Sequence, residues 1–322
     1  MKKLGCLGLV VALLAVAAVF AIVQNWGGRG PAPRNLSILI AQGSSLSAAA
    51  DDLEKAGAID SARRFVLLAK LFGDDAPIRA GEYRLPAGLS QSDLLKMLQG
   101  GRTLQRFVTV PEGRPSVMVH DAMMAAPQLE GPVAVPAEGS ILPDSYSYER
   151  GDTRQSVVDR MQTAMRRYLA EAWTKRKPTT VVKTPEEAII LASIVEKETA
   201  KASERRIVAA VYSNRVRRGM PLQADPTTIY PITKGRPLGR RILRSELQAK
   251  NGYNTYAMPG LPVGAIANPG RASIDAVLDP EQSTALYFVA DGTGGHIFAD
   301  TLEQHNANVQ KWYALRRSRG EM

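Results

Sequence analysis

Two glutamates, Glu196 and Glu198, lie one residue apart in the stretch LASIVEKETAKASER, Leu191–Arg205. A carboxyl held among apolar side chains suits general acid catalysis of the kind that cleaves glycosidic bonds. Residues i and i+2 of a helix point about 200° apart, so the two cannot share a face. With Ile194 at zero and about 100° per residue, Glu198 falls near 40°, between Ile190, Leu191 and Val195. Glu196 falls near 200°, beside Ser193, although Ile189 also points that way. The wheel therefore selects Glu198 as the buried acid and places Glu196 in solvent or in a supporting role. Burial would raise the Glu198 pKa above its reference of about 4.3. The same position also fits a glutamate that is merely ion-paired, with Lys201 at i+3 and Arg205 at i+7.

Three further clusters carry polar and aromatic groups. Gln223, Asp225, Thr227 and Thr228 come from LQADPTT, and Tyr253, Asn254, Thr255 and Tyr256 from GYNTY. Asn268 stands in IANPG, His296 in GGHIF, and His305 with Asn306 in EQHN. Amides and hydroxyls match the hydroxyl and N-acetyl groups of sugars, and aromatic rings stack on their apolar faces. Each cluster also has a structural reading: ADP as an Asx turn, NTY as a brace within a loop. The chain has three histidines and one cysteine, Cys6. No metal-ligand cluster of the usual N/S type is expected from them, and no cofactor.

The elements that must position these groups divide the 322 residues into soluble modules behind an apolar leader. Residues 1–3 carry Lys2 and Lys3, and Leu4–Val23 is unbroken in apolar or small residues. A run of about 20 spans a bilayer, with the lysines on the cytoplasmic side. A cleaved signal peptide is the competing reading, but its apolar region is shorter, about 7–15 residues. Residues 24–35 read as a Gly/Pro linker. Residues 36–103 read as strand–helix–helix–strand, the pattern of a LysM-like glycan-binding module. Residues 104–322 form an α+β domain in which Thr184-Pro185-Glu186-Glu187 opens the glutamate helix as a capping box. MPLQADPTTIY and the stretch from LYFVADG to EQHN read as loops and short strands. The net charge is +10. For an exported domain that points to an anionic polymer, to lipid headgroups or simply to a basic surface, not to nucleic acid.

LASIVEKETAKASER, VYSNRVRRGMPLQADPTTIY, YNTYAMPGLPVGAIANPG and YFVADGTGGHIFADTLEQHN together resemble the endolytic murein transglycosylases, the MltG or YceG-like family. The likeness runs from about Leu36 to Trp312 and is most specific from Leu191 onward. In that family the second glutamate of EKE is catalytic, which falls on Glu198. SNR, QADP and Val263 stand where INR, QTDP and a proline are common. The resemblance implies a bacterial inner-membrane enzyme with a cytoplasmic N-terminus and a periplasmic catalytic domain. It would cut nascent glycan strands between N-acetylmuramic acid and N-acetylglucosamine, leave a 1,6-anhydro end, and end strand elongation beside cell-wall synthases. Gln223, Asp225, Thr227, Tyr253, Asn254, Tyr256, Asn268 and His296 are then expected to bind substrate. A silent glycan-binding scaffold is the alternative.

Overall fold

The computed structural model describes residues 2–321, with the side chains of its first helix from residue 12 onward. Met1 and the side chain of Cys6 lie outside the described residues. The chain forms two compact units: one up to Arg106 with Tyr148–Gly151, the other Phe107–Ser147 with the chain from Asp152. Both mix helices with small antiparallel sheets, an α+β architecture.

The first unit holds α1 (Lys2–Gly27), β1 (Leu36–Ile40), α2 (Leu46–Lys55), α3 (Ala62–Phe72), β2 (Gly81–Leu85) and α4 (Gln91–Gly100). Strands β1 and β2 pair antiparallel, Ile38 opposite Tyr83. Ser45, Ser61 and Ser90 cap α2, α3 and α4 by accepting the backbone N–H groups of Ala48, Arg64 and Asp93. The strand–helix–helix–strand order encloses Ile40, Leu53, Phe65, Tyr83, Leu94 and Leu98. Helix α1 runs past Val23 into the stretch read as linker. Trp26 explains this, its ring 6.2 Å from that of Phe65, as does Asn25, whose Oδ1 accepts from Gln91 at 2.9 Å. Among the described residues no helix is long and apolar enough to cross a membrane. The side chains of α1 are described over residues 12–27. Within them Leu13, Leu14, Val16, Val19, Phe20 and Val23 all stand exposed.

The chain continues through β3 (Arg106–Thr109), α5 (Ser116–Ala125), β4 (Ser145–Tyr148), α6 (Arg154–Thr174), α7 (Pro185–Glu198) and α8 (Arg205–Arg217). Then follow α9 (Asp225–Thr233), α10 (Arg244–Gln248), α11 (Arg271–Leu278), β5 (Tyr287–Ala290), β6 (His296–Ala299) and α12 (Leu302–Ser318). At the centre of the second unit α7 packs against α6, α8, α9 and α11. It buries Ile189, Leu191, Ala192, Ile194 and Val195. Thr184 caps it by accepting from Glu187 N, with Pro185 in the first turn. The return bond of the capping box lands one residue further out, Glu187 Oε2 accepting from Lys183 N at 2.6 Å.

Two stretches read as irregular are helical. DPTTIYPIT is α9, where Pro226 presets the first turn and Lys234 closes the helix in the left-handed region. EQHN lies within α12, capped by Thr301 accepting from Gln304 N. The T-x-x-Q spacing of that cap was present in the sequence.

Candidate active site

Glu198 is the last residue of α7, where the negative end of the helix dipole disfavours an anion. The residue as a whole is half-buried, but its Oε1 is shut off from solvent and has no hydrogen-bond partner. Burial pushes the carboxyl up to about 7, the Tyr212 hydroxyl draws it down, the charge of Asp225 raises it and Arg215 lowers it. Desolvation dominates, so near neutrality this group holds and releases a proton with comparable ease.

The carboxyl faces a cavity of about 320 Å³ lined by Tyr212, Arg215, Leu222, Gln223, Asp225, Tyr256, Phe288 and His305. That is the low end of the ~300–1,000 Å³ of small-molecule sites, the scale of one sugar ring with its substituents rather than of a polymer. Tyr212 and Arg215 stand one turn apart on α8 and so share a face. Arg215 is anchored through Nε to Leu286 O at 2.7 Å and through Nη1 to Leu222 O at 2.8 Å, its guanidinium 5.2 Å from the Tyr287 ring. It fixes the turn before α9 to β5. Gln223 takes a positive φ of 53°, its N–H donating to Thr255 O at 3.1 Å. The Tyr256 hydroxyl donates to Asp225 Oδ1 at 2.6 Å, which burial and that anion hold far above a usual tyrosine pKa. The His305 ring stacks on Tyr287 at 5.2 Å with a buried, unpartnered Nδ1, and burial with Arg215 lowers its pKa.

Glu198, Gln223, Asp225 and Tyr256 are thus brought to one cavity, and the remaining expected binding residues are not. Thr227 is fully buried, donating to Ala224 O at 2.6 Å and accepting from Thr255 Oγ1 at 2.8 Å. The Asn254 amide, also fully buried, donates to the carbonyls of Glu246, Leu247 and Ala249 and accepts from Thr228 Oγ1. Asn268, equally enclosed, accepts from Ile141 N at 2.9 Å and donates to Arg114 O at 2.9 Å. Tyr253 packs on Tyr230 at 4.8 Å. His296 pairs through Nδ1 with Glu204 Oε2 at 2.7 Å. These polar groups hold backbone and neighbours in place of sugar hydroxyls. Asn254→Ala is therefore expected to lower stability by roughly 2–3 kcal/mol, because the carbonyls of Leu247 and Ala249 lose their donor while Glu246 O keeps Ala249 N, a loss readable in urea unfolding. Sequence reasoning missed Tyr212, Arg215 and Phe288 as site residues and named His305 without assigning it a role. The i, i+3 spacing of Tyr212 and Arg215 within VYSNR was the available signal.

Glu196 is not in solvent. Its side chain is only 6% exposed, pairs with Arg205 at 3.8 Å, and accepts from Gly270 N at 2.9 Å. The reason is the position of α7: enclosed on several sides, it buries the face carrying Ile189 and Glu196 as well as the stripe. Arg205 also pairs with Glu112 at 3.5 Å, and Lys201 with Glu204 at 3.8 Å. Both cations proposed as simple ion-pair partners of Glu198 are thus engaged elsewhere. Glu196→Gln keeps an acceptor for Gly270 and loses the ion pair, so it is expected to lower stability by about 1–2 kcal/mol. Turnover by the folded fraction should change less than about tenfold. Activity normalised to folded protein checks both.

Among the described residues no group of three His, Cys, Asp or Glu side chains could hold a metal ion. The family model described as the YceG-like family matches residues 38–311. The chain is 29% identical over 310 residues to the endolytic murein transglycosylase of Bacillus subtilis (strain 168), covering 86% of this chain and 84% of that protein. It is 29% identical over 323 residues to the one of Streptococcus pneumoniae (strain D39), covering 85% of this chain but 58% of that longer protein. A solved structure of a yceG-like protein from Listeria monocytogenes aligns with 85% of this chain and 99% of its own, at a TM-score of 0.52 and 27% identity.

Proposed function

The chain belongs to the YceG-like family, and from that premise we infer that it is a murein lytic transglycosylase with Glu198 as its acid and base. Relatives with that named activity support the reaction. The observation that carries the residue is the solvent-shielded carboxyl, near neutral pKa, opening on a sugar-sized cavity.

One carboxyl suffices because no water is consumed. Protonated Glu198 gives its proton to the glycosidic oxygen as the bond from C1 of N-acetylmuramic acid to that oxygen breaks. The C6 hydroxyl of the same sugar then attacks C1, and Glu198, now a carboxylate, takes the hydroxyl proton. The product carries a 1,6-anhydro ring and the acid is restored. Asp225, held by Tyr256, keeps Glu198 protonated and presents negative charge to the developing oxocarbenium centre. Tyr212 steadies the carboxylate between its two tasks.

Helix α1 is the membrane anchor in this reading, supported by the run Leu4–Val23 and by its exposed apolar side chains from Leu13 to Val23. The catalytic unit then works outside the cytoplasm. The strand–helix–helix–strand element acts as a LysM-like glycan-binding module. Cuts within nascent strands beside the synthases end their elongation. Digestion of uncrosslinked glycan tests the reaction: mass spectrometry should show ends one water lighter than reducing sugars. Reducing ends would make the enzyme a hydrolase, and no cleavage a scaffold.

A further inference from the structure

A second and larger cavity, about 510 Å³, begins one residue away from the first on two elements: Lys197 precedes Glu198, and Pro226 follows Asp225. The loop Pro111–Pro115 and the segment Gly235–Leu238 form its other walls, with Met118, Ile229 and Ile266. The groove is built rather than incidental. Asn268 holds the middle of the 111–115 loop, its carbonyl accepting from Gly113 N and its Nδ2 donating to Arg114 O. Gly113, at φ 70°, lies against Lys197, where a Cβ would sit 3.6 Å from that side chain's Cδ.

The charges in this groove are uneven. Arg236 is neutralised by Asp121 at 2.6 Å, and Glu112 shares Arg205 with Glu196, at 3.5 and 3.8 Å. Lys197 and Arg114 have no acidic partner among the described residues, and both line a groove whose remaining walls are mostly proline, methionine and isoleucine. Two free cations above an apolar floor fit a ligand with carboxylates on a chain of small apolar side chains. On a glycan strand that ligand is the stem peptide carried by the lactyl group of N-acetylmuramic acid. It branches from the same sugar whose C1 meets Glu198. The lipid pyrophosphate of a growing strand is anionic as well, but it sits at the strand's end, away from a cut made within it.

Resting on the transglycosylase reading above, we propose that this groove is a stem-peptide subsite in which Lys197 and Arg114 hold the peptide carboxylates. The full-length Glu198→Gln protein, which binds without cleaving, allows the test. Its affinity for uncrosslinked strands bearing peptides is expected to exceed that for amidase-stripped strands. Adding Arg114→Ala and Lys197→Ala should weaken peptide-strand binding about three- to tenfold and change stripped-strand binding less than twofold. Arg114→Lys with Lys197→Arg should restore the preference. Arg166→Ala with Arg167→Ala, outside the groove, should leave it intact. Equal weakening on both strands, or no preference at the outset, overturns the proposal. So does displacement of the strands by inorganic pyrophosphate and not by free tetrapeptide. Cleavage by the parent protein is read separately, so a failure of catalysis leaves this binding result standing.

Discussion

Glu198→Gln is expected to reduce release of anhydro ends by about 10²–10⁴-fold, the range of a lost general acid. The effect should sit in turnover rather than in strand affinity, because the amide retains the shape of the acid and loses only its proton. Stability should move the other way. An unfolded chain ionises Glu198 above about pH 4.3, whereas the native carboxyl keeps its proton up to about pH 7. Below the unfolded pKa both states are protonated and the group costs nothing. As pH rises toward 7 the native state is penalised increasingly, reaching about 4 kcal/mol above it. The glutamine variant escapes that penalty. Urea unfolding should find it gaining stability relative to the parent at pH 8 but not at pH 4. A variant that still releases anhydro ends at near-parental rate removes Glu198 from the mechanism.

The rate of the parent enzyme should fall on the alkaline side of about pH 7, close to tenfold per unit, as the proton needed for the first step is lost. Two substitutions should move that limb in opposite directions. Tyr212→Phe removes the hydroxyl that stabilises the carboxylate, so the limb shifts to higher pH. Asp225→Asn removes a like charge and shifts it to lower pH, while the asparagine oxygen still accepts from Tyr256. Profiles of kcat/KM on soluble glycan measure both. Limbs that stay in place, or shift together, would assign the titration to some other group.

How much of this was legible depended on whether the determinant was local. The stripe of Ile190, Leu191, Ile194 and Val195 is written at helical spacing, so the helix and the placement of Glu198 among apolar neighbours follow from position along the chain. The burial of Glu196 does not, because Gly270 and Arg205 reach it from other elements. Ile189 on that face was the one hint. Asn254, Asn268 and Thr227 lie buried away from the Glu198 cavity for a chemical reason. An amide or hydroxyl serves a backbone carbonyl as well as a sugar, and only tertiary structure decides which it meets. Tyr212 and Arg215 were hidden by the same ambiguity, since on a helix they read as ordinary core and surface positions. Helix α9 was obscured by its prolines, Pro226 and Pro231, the first of which in fact sits in its opening turn.

The cavity around Glu198 draws on α7, α8, the turn before α9, the GYNTY loop, β5 and α12. No short piece of the chain contains it. In the unfolded polypeptide Glu198 is an ordinary, ionised glutamate at neutral pH, unable to donate a proton. The acid proposed to open the sugar bond is therefore a product of folding, and it vanishes whenever the unit comes apart. A polypeptide still being made, or one damaged and loosened, is harmless to the polymer around it. Such an enzyme has a built-in off state that requires neither an inhibitor nor a propeptide.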